Sequence, residues 1–140
     1  MPTTLVYLVF MVLFGAVPQA TGALAVLAAT LGGLAVGLPI MAYTATVRED
    51  KGQMALIMRF VVTPLFLFSG TFFPLTQLPA ALQWIGWVSP LWHATELGRL
   101  LTYGLDTPVW LAVVHLAYPL ALAAAGLVAA QRIITRRLDR

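Results

Sequence analysis

From Met1 to Val47 the chain carries no charged residue, and its best turn within that run is Val17-Pro-Gln-Ala-Thr-Gly22. About 20 residues cross a hydrocarbon layer, so an apolar run of this length folds back once. Proline and glycine bracketing polar residues mark the place. The pattern predicts a first span near Thr4–Val17 and a second near Ala23–Thr46. A compact charged loop, Arg48-Glu-Asp-Lys-Gly52, precedes a third span over Met54–Phe72, with Arg59 able to snorkel to the headgroups and Pro64 set to kink it. A last span runs over Pro108–Gln131, headed by Pro108 with Trp110 at interface depth.

Between the last two spans lies a stretch of a different kind, FSGTFFPLTQLPAALQWIGWVSPLWHATELGR, Phe68–Arg99. It starts as the end of a span, breaks at Pro74, Pro79 and Pro90, gathers Trp84, Trp87 and Trp92, and recovers charge only at Glu96 and Arg99. Neither a hydrophilic loop nor a straight transmembrane helix has this pattern. Residues 73–106 are predicted to be a re-entrant helical hairpin at one edge of the bilayer. Pro90 disfavours helical geometry at Ser89, so the hairpin divides there. The expected fold is all-α: a polytopic membrane protein with four visible transmembrane helices and an outer re-entrant hairpin between the last two.

Composition agrees. Hydrophobic residues make up 61% of the chain and charged residues 9%, against about 25% charge in an ordinary soluble domain. Mean hydropathy is +0.91. The net charge of +3 raises nucleic acid as a partner, but the positions exclude it. Arg48, Lys51 and Arg59 flank one short loop, and Arg132, Arg136, Arg137 and Arg140 form a basic tail over 132–140. Cations placed so belong on the cytoplasmic side of a membrane. The loop and the C-terminus are therefore expected inside, and the 17–22 turn and the 73–106 segment outside. Apolar residues begin almost at Met1 with no basic stretch before them, unlike a secretory signal. The chain is expected to start inside or at the edge of a span, with residues upstream missing.

Small residues recur every fourth position at Ala25, Ala29, Gly33 and Gly37, and again at Ala117, Ala121, Ala125 and Ala129. Such rows let helix backbones approach closely in lipid.

Candidate chemistry is sparse. There is no cysteine, so no disulfide, thiolate site or cysteine nucleophile. There is no GxxxxGK phosphate loop, no HExxH and no GxSxG, and no metal site is expected. His115 lies inside the last span, where the expectation is a neutral imidazole hydrogen-bonded to a neighbouring helix, with a proton relay as the sharper alternative. His93, Glu96 and Arg99 stand at i, i+3 spacing and share a helix face. They are either a solvated outer face with an ion pair or the polar lining of an exit mouth. The three tryptophans suit an interfacial belt.

The segments Phe68-Ser-Gly-Thr-Phe-Phe-Pro-Leu, Gln77-Leu-Pro, Pro90-Leu-Trp-His and Glu96-Leu-Gly-Arg99 together resemble the ABC type-2 export permeases, most closely the drug and lipo-oligosaccharide exporters. The resemblance covers nearly the whole chain, as the C-terminal portion of a six-span permease. It implies a permease that dimerises as a homodimer and pairs with a separate ATP-binding subunit. ATP and magnesium would reside on that partner, with no cofactor on this chain. It makes Phe73–Tyr103 the re-entrant pair, with Phe72, Phe73, Pro74, Pro79, Trp87, Pro90, His93, Glu96 and Arg99 as exit-path candidates. It also implies two upstream spans and a cytoplasmic coupling element outside this chain, leaving Arg48, Glu49, Asp50 and Lys51 as a secondary contact for the ATP-binding subunit. The expected location is the cytoplasmic membrane. The expected cargo is hydrophobic or amphiphilic: a drug, a lipid-linked molecule or a lipo-oligosaccharide.

Two other classes compete. One is a truncated or structural membrane subunit without autonomous transport. The other is a lipid-modifying enzyme with His93 and Glu96 as acid and base, which needs both groups within reach of a shared proton.

Overall fold

The computed structural model describes residues 2–17, 20–47, 49, 51–104 and 106–138. Arg48 and Asp50, two of the expected contact residues, lie outside the described residues. Every regular element among those described is helical. Helix α1 is Pro2–Leu13, α2 is Ala25–Thr44, α3 is Gln53–Leu67, α4 is Ala80–Val88, α5 is Pro90–Tyr103 and α6 is Val109–Leu138. Short 3-10 turns, Ala20–Leu24 and Leu75–Gln77, precede α2 and α4.

Among the described residues, two helices are long and apolar enough to cross a membrane, Thr21–Thr44 and Val109–Arg137. Only 22% of the apolar window in each is buried, so neither is the wrapped core helix of a soluble domain. The other two expected spans are shorter apolar helices, Thr3–Leu13 and Gln53–Leu67.

The first span was expected to reach Val17, but α1 stops at Leu13. Gly15 adopts φ +66°. Its N–H bonds to the Val12 carbonyl at 3.0 Å, and that of Ala16 to the Met11 carbonyl at 2.8 Å. This is a glycine-based helix stop that takes up two orphan carbonyls. α3 likewise ends at Leu67 rather than Phe72. Its middle, Met58–Val62, is a π turn. Pro64 offers no N–H, and the wider register just before it accommodates the gap. Thr63 bonds back to the Met58 carbonyl through its backbone N–H and through Oγ1 at 2.8 Å. The last helix runs through the expected tail as far as Leu138. At 30 residues it is about 45 Å long, and its arginine-bearing end outreaches a hydrocarbon core of about 30 Å.

The core is the packing of α2 against α5 and α6. The contact row on α2 is Ala28, Gly32, Ala35 and Ala42. On α6 it is His115, Pro119, Ala123, Gly126 and Ala130, all buried. A Cβ added at Gly126 would lie 2.6 Å from the backbone nitrogen of Pro39, and one at Gly32 would lie 2.7 Å from Ala94 Cβ on α5. These contacts correct the expected rows. Ala29, Gly33 and Gly37 face outward, as do Ala117, Ala121 and Ala125. The within-chain interface uses the adjacent small residues instead. An added Cβ at Gly33 or Gly37 meets nothing within 4 Å, so Gly33→Leu and Gly37→Leu should leave the thermal midpoint of the monomer within the scatter of ordinary surface changes, about 0.5 kcal/mol.

α2 and α6 run parallel. Pro39 meets Gly126 midway, and further along both, the Arg137 guanidinium donates to the Val47 carbonyl at 3.3 Å. α1 packs chiefly on α2 and exposes Leu5, Val6, Val9, Phe10, Val12 and Leu13. An apolar face of this extent is at home only against lipid or a partner.

Candidate functional site

Among the described residues, polar side chains converge at the junction of α4 and α5, inside an otherwise apolar bundle. Ser89 is extended, with φ −74° and ψ 119°, and Pro90 opens α5, as the proline requires of the residue before it. A helix that stops leaves carbonyls without partners. Here side chains from other elements supply them. His93 Nε2–H donates to the Trp87 carbonyl at 2.9 Å. Tyr118 on α6 donates its hydroxyl to the Val88 carbonyl at 2.8 Å. Ser89 itself, 0% exposed, donates Oγ–H to the Leu65 carbonyl of α3 at 3.2 Å. One break is thus tied to α3, α5 and α6.

At the centre, His93 Nδ1 lies 2.9 Å from His115 Nδ1 of α6. His93 is 6% exposed and His115 3%. The Trp92 ring stands edge-on to both imidazoles, at centroid distances of 4.9 and 5.1 Å, and Tyr118 is tilted against His93 at 4.8 Å. Burial pushes the His93 pKa below the ordinary imidazole value, against the opposing pull of its bond to the Trp87 carbonyl.

One turn along α5, Arg99 Nη1 donates to Glu96 Oε1 at 2.7 Å, and Nη2 donates to the Gly70 carbonyl in the turn after α3. Gly70 has φ +77°, and a Cβ there would lie 3.0 Å from Trp92 Cδ1. A side chain is excluded both by conformation and by the indole. Arg99 therefore pins the α3–α4 connection onto α5.

These positions sort the sequence candidates. Pro90, His93, Glu96, Arg99 and the Trp87 carbonyl come together. Phe72, Pro74 and Pro79 are exposed and Phe73 is half-buried, away from the cluster; Phe72 stacks edge-on with Phe66 at 5.2 Å. Glu49 and Lys51 are exposed and form a 3.9 Å ion pair. His93 lies on no solvated face: it turns into the α6 interface, because its partner is there. Both its nitrogens are occupied and Glu96 is paired with Arg99, so the two share no hydrogen bond of the kind a joint acid–base role needs. His115 does bond to a neighbouring helix, as its place within an apolar span predicts. The tryptophans divide: Trp84 and Trp87 are 57% and 58% exposed, while the indole nitrogen of Trp92 is buried without a partner. The sequence marked Ser89 as the break but not as a donor to α3, and it singled out neither Gly70 nor Tyr118. Tyr118 stands three residues from His115, one helical turn away, and that spacing is the clue a reader of α6 had available.

Apolar clefts open between the helices. One of about 340 Å³ lies between α1 and α2 and is lined by Tyr7, Leu8, Met11, Val26 and Ala29, among others. Another, of about 260 Å³, lies below the hinge between α2, α3 and α6, lined by Val36, Ile40, Val61, Leu65, Pro90 and Tyr118, among others.

Long outward-facing apolar helices around a helical break fit a helical membrane protein. A family model described as ABC-2 type transporter matches residues 1–103, from α1 to the end of α5. The chain belongs to that family. No curated protein and no solved structure matches it. Membership makes it a membrane component of an ABC transporter, a permease subunit served by an ATP-binding partner.

Proposed function

We propose that the chain is the permease part of an exporter that moves a hydrophobic or amphiphilic cargo, such as a drug, a lipid-linked molecule or a lipo-oligosaccharide, out across the cytoplasmic membrane. ATP and magnesium act on the separate subunit. A second copy of the permease completes the pathway. The observation that carries the reading is the helix–break–helix element α4–α5, tied at Ser89 to α3 and α6 beside a cleft of apolar side chains.

In this reading α1, α2, α3 and α6 cross the bilayer, and α4–α5 is the re-entrant pair over the outer mouth of the path. The parallel run of α2 and α6 supports it. Their last residues meet through Arg137 and Val47, at the end that carries Glu49, Lys51 and the basic stretch Arg132–Arg137. That end is cytoplasmic by its positive charge. Glu49 and Lys51, both exposed, are then placed to meet the ATP-binding subunit, with Arg48 and Asp50 beside them in sequence. Short apolar lining without a ring of charge suits a cargo with hydrocarbon surface.

Single cysteines supply the test, since the chain has none of its own. In intact cells, an impermeant maleimide should label Thr76→Cys and spare Glu49→Cys. Cells co-expressing the permease and its ATP-binding partner should extrude a fluorescent amphiphile and lose that ability when the partner's ATP hydrolysis is blocked. Labelling of Glu49→Cys from outside, or efflux indifferent to ATP hydrolysis, would refute the reading.

A further inference from the structure

We propose that His93 and His115 form a proton-operated latch: the pair holds the α4–α5 hinge against α6 while it carries at most one excess proton, and releases it when both imidazoles are charged. The transport reading is not needed for this; it follows from the hydrogen-bond geometry of the hinge.

A carbonyl oxygen only accepts, so His93 Nε2, bonded to the Trp87 carbonyl, carries a hydrogen. In neutral His93 the other nitrogen, Nδ1, then holds a lone pair. The 2.9 Å contact is a hydrogen bond only if His115 Nδ1–H donates to it. In the neutral pair His115 therefore bears its hydrogen on Nδ1 and a lone pair on Nε2. A first added proton goes to that Nε2, and the bond between the rings survives, now donated by an imidazolium. A second proton has only His93 Nδ1 left to bind. That removes the acceptor and sets two cations with nitrogens 2.9 Å apart in a buried site, where repulsion is weakly screened.

Among the described residues, nothing packed against the pair neutralises two charges. From α6 the groups facing His93 are His115 and Tyr118. On α5, Glu96 is committed to Arg99. From α4 the contact is the Trp87 carbonyl. α2 carries no Asp, Glu, Lys, Arg or His, and α3 carries only Arg59, six residues before Leu65. The rings are bound to what must move. Losing the His93–His115 bond frees the side chain that caps the last turn of α4, leaving Tyr118 and Ser89 as the remaining ties.

The sign follows from burial. His93 has a pKa lowered from the ordinary value, so the unfolded or opened form binds protons more readily than the closed one. The closed form is fully favoured above an ordinary imidazole pKa of about 6.5 and loses ground as pH falls below it.

The test is a spin-label distance across the hinge in lipid nanodiscs, with probes at Leu82→Cys on α4 and Val113→Cys on α6, both exposed positions. At about pH 8 one distance is expected. At about pH 5, below the ordinary imidazole range, a second, longer population should appear. His115→Asn keeps a donor near the Nδ1 position and cannot be protonated, so it should hold the single distance at both pH values. An unchanged distribution in the parent protein, or the same shift in His115→Asn, overturns the latch.

Discussion

Gly126→Leu should be the most damaging single substitution in this chain. An added Cβ at that position already falls 2.6 Å from the Pro39 nitrogen and 2.8 Å from the Leu38 carbonyl carbon. Those are backbone atoms within α2, which cannot swing aside as a side-chain tip does. α2 and α6 would have to separate, and the row Ala35, Ala123 and Ala130 would lose its contacts with them. Overpacking of a tight core costs about 1–3 kcal/mol, and a forced shift of two helix backbones lies at the upper end. In detergent or nanodiscs the thermal midpoint should fall by several degrees relative to Gly33→Leu, which introduces the same side chain into open space on the outward face of α2. Equal midpoints for the two variants would remove the α2–α6 contact from the account.

Arg99→Leu should rank next, through a different physical route. It leaves Glu96 without its 2.7 Å partner and the Gly70 carbonyl without its donor. Hydrogen bonds to charged groups contribute about 1.5–3 kcal/mol each, and the partial exposure of both side chains places the net loss toward the lower figure. The loss should be local. Proteolysis or hydrogen exchange should rise over 68–79, the connection that Arg99 pins, while α2 and α6 keep their protection. Arg99→Lys should restore only part of it, because an ammonium lacks the planar fork that reaches Glu96 and Gly70 together.

The sequence displayed some of this and hid the rest for identifiable reasons. The break at Ser89–Pro90 was legible because proline restricts its predecessor wherever it occurs. The resemblance carried by residues 68–99 agrees with the family match. The contact face of α2 was not legible. That helix is apolar all round, so no polar stripe marks its outside, and Ala25, Ala29, Gly33 and Gly37 form as regular a row as the buried Ala28, Gly32, Ala35 and Ala42. Only the partner surface, Pro39 against Gly126, distinguishes them. The end of α1 was legible in principle from Phe14-Gly15, since glycine just past a helix is a common stop. The more obvious proline and glycine of Val17–Gly22 drew the boundary too far along. At the site, i, i+3 spacing linked His93, Glu96 and Arg99, whereas His115 lies beyond a helix end and a loop, and no local periodicity connects two elements that meet only in the folded bundle.

Thr21 shows the same limit from the other side. Its hydroxyl donates to the Leu101 carbonyl at 2.6 Å, fastening the turn before α2 to the last turns of α5. The turn over residues 17–22 was expected on the outer side between two spans, and Thr21 within it ties the start of one long helix to the end of the hinged segment.

The central claim is that this chain serves as the membrane part of an ATP-driven exporter. The most direct measurement is the ATPase rate of the ATP-binding subunit, reconstituted in nanodiscs with and without the chain. The account predicts that the two co-elute and that the rate rises several-fold above that of the subunit alone, with a further change when an amphiphile is added. An ATP-binding subunit that elutes apart from the chain and hydrolyses ATP at the same rate in its presence would contradict it.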